Sequence, residues 1–382
     1  MADGSSILPF ATSEKLLWEV FHLTDHRLIG FGKQWAVVSK QYAAGSGQLV
    51  QLAVDCFSYI PIFLHFHIHT FLYSYIYFFP SNLLKTESLS LPLMKAGFVS
   101  IVGKPNAGKS TLLNALLGEK LAIVSPKAQT TRHRIKGILG NPDYQIVFSD
   151  TPGMIQPQYK LHEKMMDAVR QSLEDADLVL LLADVRDDPA ELGALFHSLQ
   201  LSMPAILVVN KSDLVAENKL REVVALYEAQ PFAKAVVPVS ALRKAGIDQL
   251  LAKVIHFLPE GEPFFGPDEL TDLPTKFFVA ELIREQIFFL FKEEIPYHTT
   301  VVVKEFKEKT TLVKIVADII VHRESQKGII LGEGGKMIRE LGTLARQEIE
   351  KFLGQKVFLE LFVKVRPKWR DSEGILKEYG YI

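Results

Sequence analysis

The sequence is poor in cysteine and in net charge. Its one cysteine, Cys56, excludes an internal disulfide and any Cys-rich zinc or iron–sulfur site, and it fits a reducing compartment. The 43 Lys plus Arg stand against 44 Asp plus Glu, a formal net charge of -1. No global basic field marks a nucleic-acid partner, so any such site must be local. The first 94 residues also lack motifs, repeats and low-complexity tracts. Within them, the 23 residues from Phe57 to Phe79 contain no Asp, Glu, Lys or Arg and are long enough to span a bilayer. Pro61 and the histidines at 65, 67 and 69 interrupt that run, and its aromatics are spread throughout instead of gathering at two ends. The other readings of 1–94 are a disordered extension, a stretch absent from the mature protein, or an organelle-targeting leader. Against the leader stand the acidic residues Asp3, Glu14, Glu19 and Asp25.

What is present is enough for two domains. A chain of 382 residues with 48% hydrophobic content exceeds one ordinary domain and can build two cores. From Lys95, apolar strands (FVSIVG, YQIVFSD, DLVLLLADV, AILVVN, AVVPVS) alternate with helices, the first near Ser110 to Leu117. This pattern predicts an α/β fold with a doubly wound, mainly parallel sheet over 95–258. Pro259, Gly261, Pro263, Gly266, Pro267 and Pro274 give Leu258 to Pro274 the composition of a linker, set at 259–273. Over 274–382 the pattern becomes a smaller α+β module. Its expected elements are a helix (Phe277 to Lys292), strands (Thr299 to Glu305 and Thr311 to His322), a Gly-rich turn, a helix (Lys336 to Leu353) and a strand (Lys356 to Val365).

Gly103-Lys104-Pro105-Asn106-Ala107-Gly108-Lys109-Ser110, followed by Thr111, ends a strand and opens a helix, the context a phosphate-binding P-loop needs. Glycines let backbone N–H groups wrap the β-phosphate, and the helix N-terminus adds its dipole. Lys109 neutralises β and γ oxygens, and Ser110 ligates magnesium. A chance match in this chain is on the order of 1%. P-loops serve ATP and GTP enzymes alike, so base choice must come from elsewhere. Asn210-Lys211-Ser212-Asp213 ends the strand AILVVN, where Asp213 can accept from guanine N1–H and the N2 amine, donors that adenine lacks there. Asn210 would brace the loop, Lys211 would lie along the base, and Val239-Ser240-Ala241 would present backbone N–H groups to guanine O6. Asp150-Thr151-Pro152-Gly153 ends YQIVFSD: Asp150 would hold magnesium through water, and the Gly153 N–H would meet the γ-phosphate. In the polar stretch Gln129 to His133, one of Thr130 or Thr131 should reach magnesium. The catalytic set is Lys109, Thr131, Asp150 and Gly153.

GKPNAGKS, KAQTTRHRI, SDTPG, NKSD and VSA, in this order and spacing, resemble the Era family of GTPases, from about Lys95 to Ile382. The resemblance implies a TRAFAC-type G domain. Ras-like enzymes place a water-orienting Gln after the DTPG-type motif, where this chain has Met154. The resemblance therefore implies hydrolysis assisted by a monovalent cation such as K⁺, ligated in part by Asn106, besides Mg²⁺. Burial of Met154 with slow unassisted hydrolysis is the alternative.

Gly332-Glu333-Gly334-Gly335 lies between an apolar strand end and an amphipathic helix. A GxxG loop lets a nucleic-acid backbone approach bare N–H groups. Lys327, Lys336, Arg339 and Arg346 flank it, and Leu273 to Ile382 carries 19 Lys plus Arg against 16 Asp plus Glu. The order helix, strand, strand, helix, GxxG, helix, strand resembles the type II KH domain of Era, with Lys327, Gly332 to Gly335, Lys336 and Arg339 as the RNA set. Glu333 departs from the basic residue usual there. The resemblance implies a monomeric, cytoplasmic GTP/GDP switch that binds the 3′ end of small-subunit ribosomal RNA and assists assembly of the 30S-type subunit. An organelle matrix or stroma is the alternative location, and peripheral membrane association is a further expectation. Competing readings are an RNA-binding scaffold with structural GTP and a membrane-anchored GTPase. A nucleotide kinase leaves Asn210 to Asp213 without a role.

Overall fold

The computed structural model describes residues 94–381. Cys56 and the stretch Phe57 to Phe79 lie outside the described residues. The first body is built from β1 (Met94–Gly103), α1 (Lys109–Leu117), β2 (Ile135–Asn141), β3 (Tyr144–Asp150), α2 (Lys160–Glu174), β4 (Leu178–Asp184), α3 (Pro189–His197), β5 (Ala205–Asn210), α4 (Glu217–Glu228), β6 (Ala235–Pro238), α5 (Ile247–Phe257) and β7 (Glu260–Gly261). Its sheet order is β2-β3-β1-β4-β5-β6. The neighbours from β3 to β6 run parallel, while β2 pairs antiparallel with β3 and β7 with β1. The run IKGILGN is a strand although Gly137 and Gly140 break its apolar pattern; its register against β3 supplies what local propensity does not.

Strand β4 shows why the sheet is sandwiched. Leu178, Leu180 and Leu182 enter one core, and Val179, Leu181 and Ala183 enter the other, so both faces need helical cover. Chain order reverses around β1, which has β3 on one side and β4 on the other. This switch point is where doubly wound folds open a crevice at the strands' carboxyl ends.

The segment 259–273 is docked against the sheet. Gln145 accepts from the Phe264 and Phe265 N–H groups (2.7 and 3.0 Å), Ile138 N donates to Leu270 O (2.9 Å), and Lys136 pairs with Asp272 (2.7 Å). Beyond it come α6 (Thr275–Leu290), α7 (Ile295–His298), β8 (Thr300–Glu308), β9 (Val313–Val321), α8 (Glu324–Leu331), α9 (Lys336–Leu353), β10 (Val357–Val365) and α10 (Glu373–Glu378). The sheet is β10-β9-β8, with β10 parallel and β8 antiparallel to β9. In α9, Leu341, Ala345 and Ile349 repeat every fourth residue and are buried, the stripe an amphipathic helix must hide.

The run read locally as an apolar strand end before the GxxG loop is the helix α8, the helix that the KH-type order places there. The Gln326 side chain accepts from the His322 and Arg323 N–H groups (2.9 and 3.1 Å), a cap that starts the helix although Ile329, Ile330 and Leu331 read as a strand. Helix α6 belongs to both bodies: Phe278 packs into the first core and Val279, Ile283 and Ile287 into the second.

Candidate functional site

At the crevice, the loop after β1 turns on positive-φ residues, Asn106 (62°) and Gly108 (99°). A Cβ at Gly108 would collide with the Asn210 amide, and one at Gly153 would come 2.8 Å from Pro105 Cα, so both glycines exist for close approach. Lys109 is buried and donates to the carbonyls of Gly103 (3.2 Å) and Lys104 (2.9 Å). Burial lowers its pKa to about 8, with the Asp150 charge opposing. Met154 N donates to Gly103 O (3.1 Å), and its side chain is half-buried against the apolar core.

Three oxygens converge beside Lys109. Ser110 Oγ lies 2.7 Å from both Asp150 Oδ2 and Thr131 Oγ1, and Thr131 donates to Asp150 Oδ2 at 3.2 Å. Thr130 is turned away, its hydroxyl on Lys127 O (2.8 Å). Burial raises the Asp150 pKa to about 6 against the Ser110 bond and the Lys109 charge. Asp150 Oδ1 is buried without a hydrogen-bond partner among the described residues. An all-oxygen set with an unsatisfied carboxylate oxygen fits a hard cation such as Mg²⁺. Thr151 spends its hydroxyl on Ile101 O (2.7 Å), and Pro152 is buried. The cleft is lined by Pro105, Asn106, Gly108 to Thr111, Ile123 to Ser125, Lys127, Gln129 to Thr131 and Gly153. Ile123 to Ser125 carry no motif that marks them as lining; Lys127 opens the KAQTTRHRI run.

Asn210 joins two loops, donating to Ala107 O (2.8 Å) and accepting from Ala241 N (3.0 Å). Lys211 Nζ reaches Asn106 O (2.7 Å) and Asp184 (2.8 Å). Ser240 donates to Asp213 at 2.6 Å, and this bond holds the Asp213 carboxyl below its usual range. One expectation is corrected here. The N–H groups of Val239, Ser240 and Ala241 donate to Val209 O, Ala245 O and Asn210 Oδ1, so they do not stand open toward a base oxygen.

The second loop, Gly332 to Gly335, has φ of 68°, 56° and 75° at its three glycines. A Cβ at Gly334 would meet nothing within 4 Å, so no packing demands glycine there. Arg339 folds back to donate to Gly334 O (2.7 Å) and Gly335 O (3.1 Å), while Glu333 and Lys336 are exposed and Lys327 is half-buried on α8.

A P-loop with a guanine-type N-K-x-D loop on a doubly wound sheet, followed by a GxxG module, defines a GTPase joined to a KH domain. A family described as 50S ribosome-binding GTPase matches residues 98–211, and the KH domain family matches residues 294–370. The GTPase Era of Geotalea uraniireducens (strain Rf4) is 48% identical over 290 residues, spanning 75% of this chain and 98% of its own length. That of Geobacter sp. (strain M21) is 50% identical over 291 residues with the same coverage. Among solved structures, a variant of Aquifex aeolicus Era bound to GDP.AlF4- superposes with a TM-score of 0.72 at 40% identity, over 75% of this chain and 99% of that one. Era in complex with MgGDPNP and nucleotides 1506–1542 of 16S ribosomal RNA gives 0.71 at 42% identity, with the same coverage. The chain belongs to the Era family of GTPases.

Proposed function

We propose that this GTPase is a switch that binds small-subunit ribosomal RNA through its KH domain and assists assembly of the small subunit, with its GTP- and GDP-bound states differing in that contact. The observation that carries this reading is that one chain holds both the Ser110, Thr131 and Asp150 oxygen set and the GxxG loop. The Era chain solved with a 16S RNA fragment matches it over nearly its whole length. The domains act as 95–258 for nucleotide and 274–382 for RNA, across 259–273.

In the nucleotide half, Gly103 to Thr111 wrap the phosphates and Lys109 pairs with β and γ oxygens. Ser110, Thr131 and Asp150 would hold Mg²⁺, which when bound would neutralise charge on those oxygens. Asp150 to Gly153 follow the γ-phosphate; Asn210, Lys211 and Asp213 take the guanine side, with Ser240 and Ala241 orienting Asp213 and Asn210. Water attacks the γ-phosphorus and the bond to the β–γ bridging oxygen breaks, its electron pair staying on GDP, while the γ-phosphoryl group leaves as phosphate and the water's proton goes to phosphate or solvent. Met154 cannot orient that water, and a K⁺ ion held in part by the exposed Asn106 would supply the missing charge. In sodium, turnover should then fall while GDP binding stays nearly unchanged; equal rates in both salts would remove K⁺ from the scheme.

In the RNA half, Gly332 to Gly335 meet the phosphodiester backbone, flanked by Lys327, Lys336 and Arg339. The reading places a monomer in the cytoplasm, an organelle matrix or stroma being the alternative, with peripheral membrane association carried by the resemblance. Among the described residues no helix is long and apolar enough to cross a membrane. Crosslinking the purified protein to ribosomal RNA in its GTP and GDP states tests partner and switch together. Absence of crosslinks at the small-subunit 3′ end in both states would overturn the RNA half.

A further inference from the structure

The first switch loop is bonded on both sides of Thr131 to the second body. Arg284 of α6, 1% exposed, donates through Nη2 to Thr130 O and through Nε to Glu281 at 2.8 Å. Arg132 donates to Thr299 O (2.7 Å), Pro296 O (2.9 Å) and Tyr297 O (3.2 Å). Upstream, Lys127 Nζ reaches Phe288 O and Phe291 O, and Val124 N donates to Glu285 at 3.0 Å. All of these partners lie between residues 284 and 299. Residues 130 and 132 are thus fixed from the KH side, and the one between them places its hydroxyl against Ser110 and Asp150.

We propose that Arg284 is a positioning residue of the GTPase site: by holding Thr130 O it presents the Thr131 hydroxyl to the cation position, so the KH-side helix completes the GTP-bound form. This rests on the reading that Ser110, Thr131 and Asp150 hold Mg²⁺. The clamp is built to open. Two buried guanidiniums, Arg132 and Arg284, stand near the buried carboxylates Glu281 and Glu285, yet Arg132 Nε and Arg284 Nη1 find no hydrogen-bond partner among the described residues. Buried charge left partly unsatisfied is costly, so the closed arrangement needs a second source of stabilisation. A ligand that uses Thr131 supplies it, and one that does not leaves the clamp free to part.

The test uses the full chain in magnesium, with GDP and the analogue GDPNP as probes. Arg284→Gln should weaken GDPNP by about tenfold or more, since a hydrogen bond from a charged group is lost, and shift GDP by less than about twofold, because Thr131 serves only the γ-phosphate form. Thr131→Ala should give the same split. The double variant should lose little beyond either single change, as coupled residues do. If Thr131→Ala lacks the split, the cation reading itself fails. If it shows the split and Arg284→Gln does not, or the two losses add, the positioning role fails alone. Should Arg284→Gln not fold, Arg284→Lys keeps a charge beside Glu281 with a shorter reach to Thr130 O. Its GDPNP-to-GDP ratio then decides, a wild-type ratio counting against the proposal.

Discussion

Asp213 gives one carboxylate oxygen to Ser240 and keeps the other 3.6 Å from the exposed Arg243. That second oxygen is the acceptor that guanine needs. Asp213→Asn should lower GTP affinity by roughly one to three orders of magnitude and raise affinity for xanthosine triphosphate. Competition binding reads both; an unchanged GTP preference would remove Asp213 from base selection. His133, next to the switch, stacks on Tyr381 (4.3 Å) and meets the Phe277 edge (5.3 Å). Burial lowers its pKa to about 4 against the Glu281 charge, below the ordinary 6.5. The folded protein therefore binds the proton less readily than the unfolded chain. Stability from this group is complete above pH 6.5 and lost as pH falls toward 4. Discounted for its partial exposure, the effect is about 1–2 kcal/mol. His133→Phe keeps the stacked ring and removes the proton, so its denaturation midpoint should fall less than the wild type's between pH 6.5 and 4.5.

Among elements, the GxxG turn invites the sharpest change. Gly334→Asp places a carboxylate and a side chain where the backbone of RNA must pass, and should nearly abolish RNA binding while GTP binding survives. Glu333→Lys should act oppositely, steepening the salt dependence by about one phosphate equivalent. The slope of log affinity against log salt, on an oligonucleotide of the small-subunit RNA 3′ end, separates the two; identical slopes for wild type and variants would make the turn an ordinary one. Elements of this kind were legible in the sequence because their chemistry is local. Glycine spacing, the P-loop after an apolar strand and the Leu341, Ala345, Ile349 stripe each sit within a few turns of chain. The strand IKGILGN was not legible, since its stability comes from β3; α8 came only with the KH-type order, because its cap outweighs a run that reads locally as β-like. Least visible was the Arg284 bond to Thr130, which joins residues 154 apart and leaves no periodic trace.

On the scale of the whole described molecule, a cluster of Leu161 and Met165 from α2 with Ile320, Trp369, Leu376 and Tyr381 links the nucleotide body to the end of the chain. Trp369 is fully buried and donates to His298 O at 3.0 Å. Trp369→Ala should cost about 3–5 kcal/mol in a urea titration, and a loss under 1 kcal/mol would show that this seam is incidental. The pairing of β7 with the start of β1 has a mechanical consequence. Met94 faces Gly261 and Lys95 faces Glu260, so the chain enters and leaves the nucleotide body at the same corner. Tension applied between Met94 and Gly261 loads that clasp bond by bond, as in opening a zip. The parallel strands behind it are not sheared along their length. The nucleotide body should therefore yield to pulling at low force from this corner and resist it far better when gripped at Met94 and Pro238.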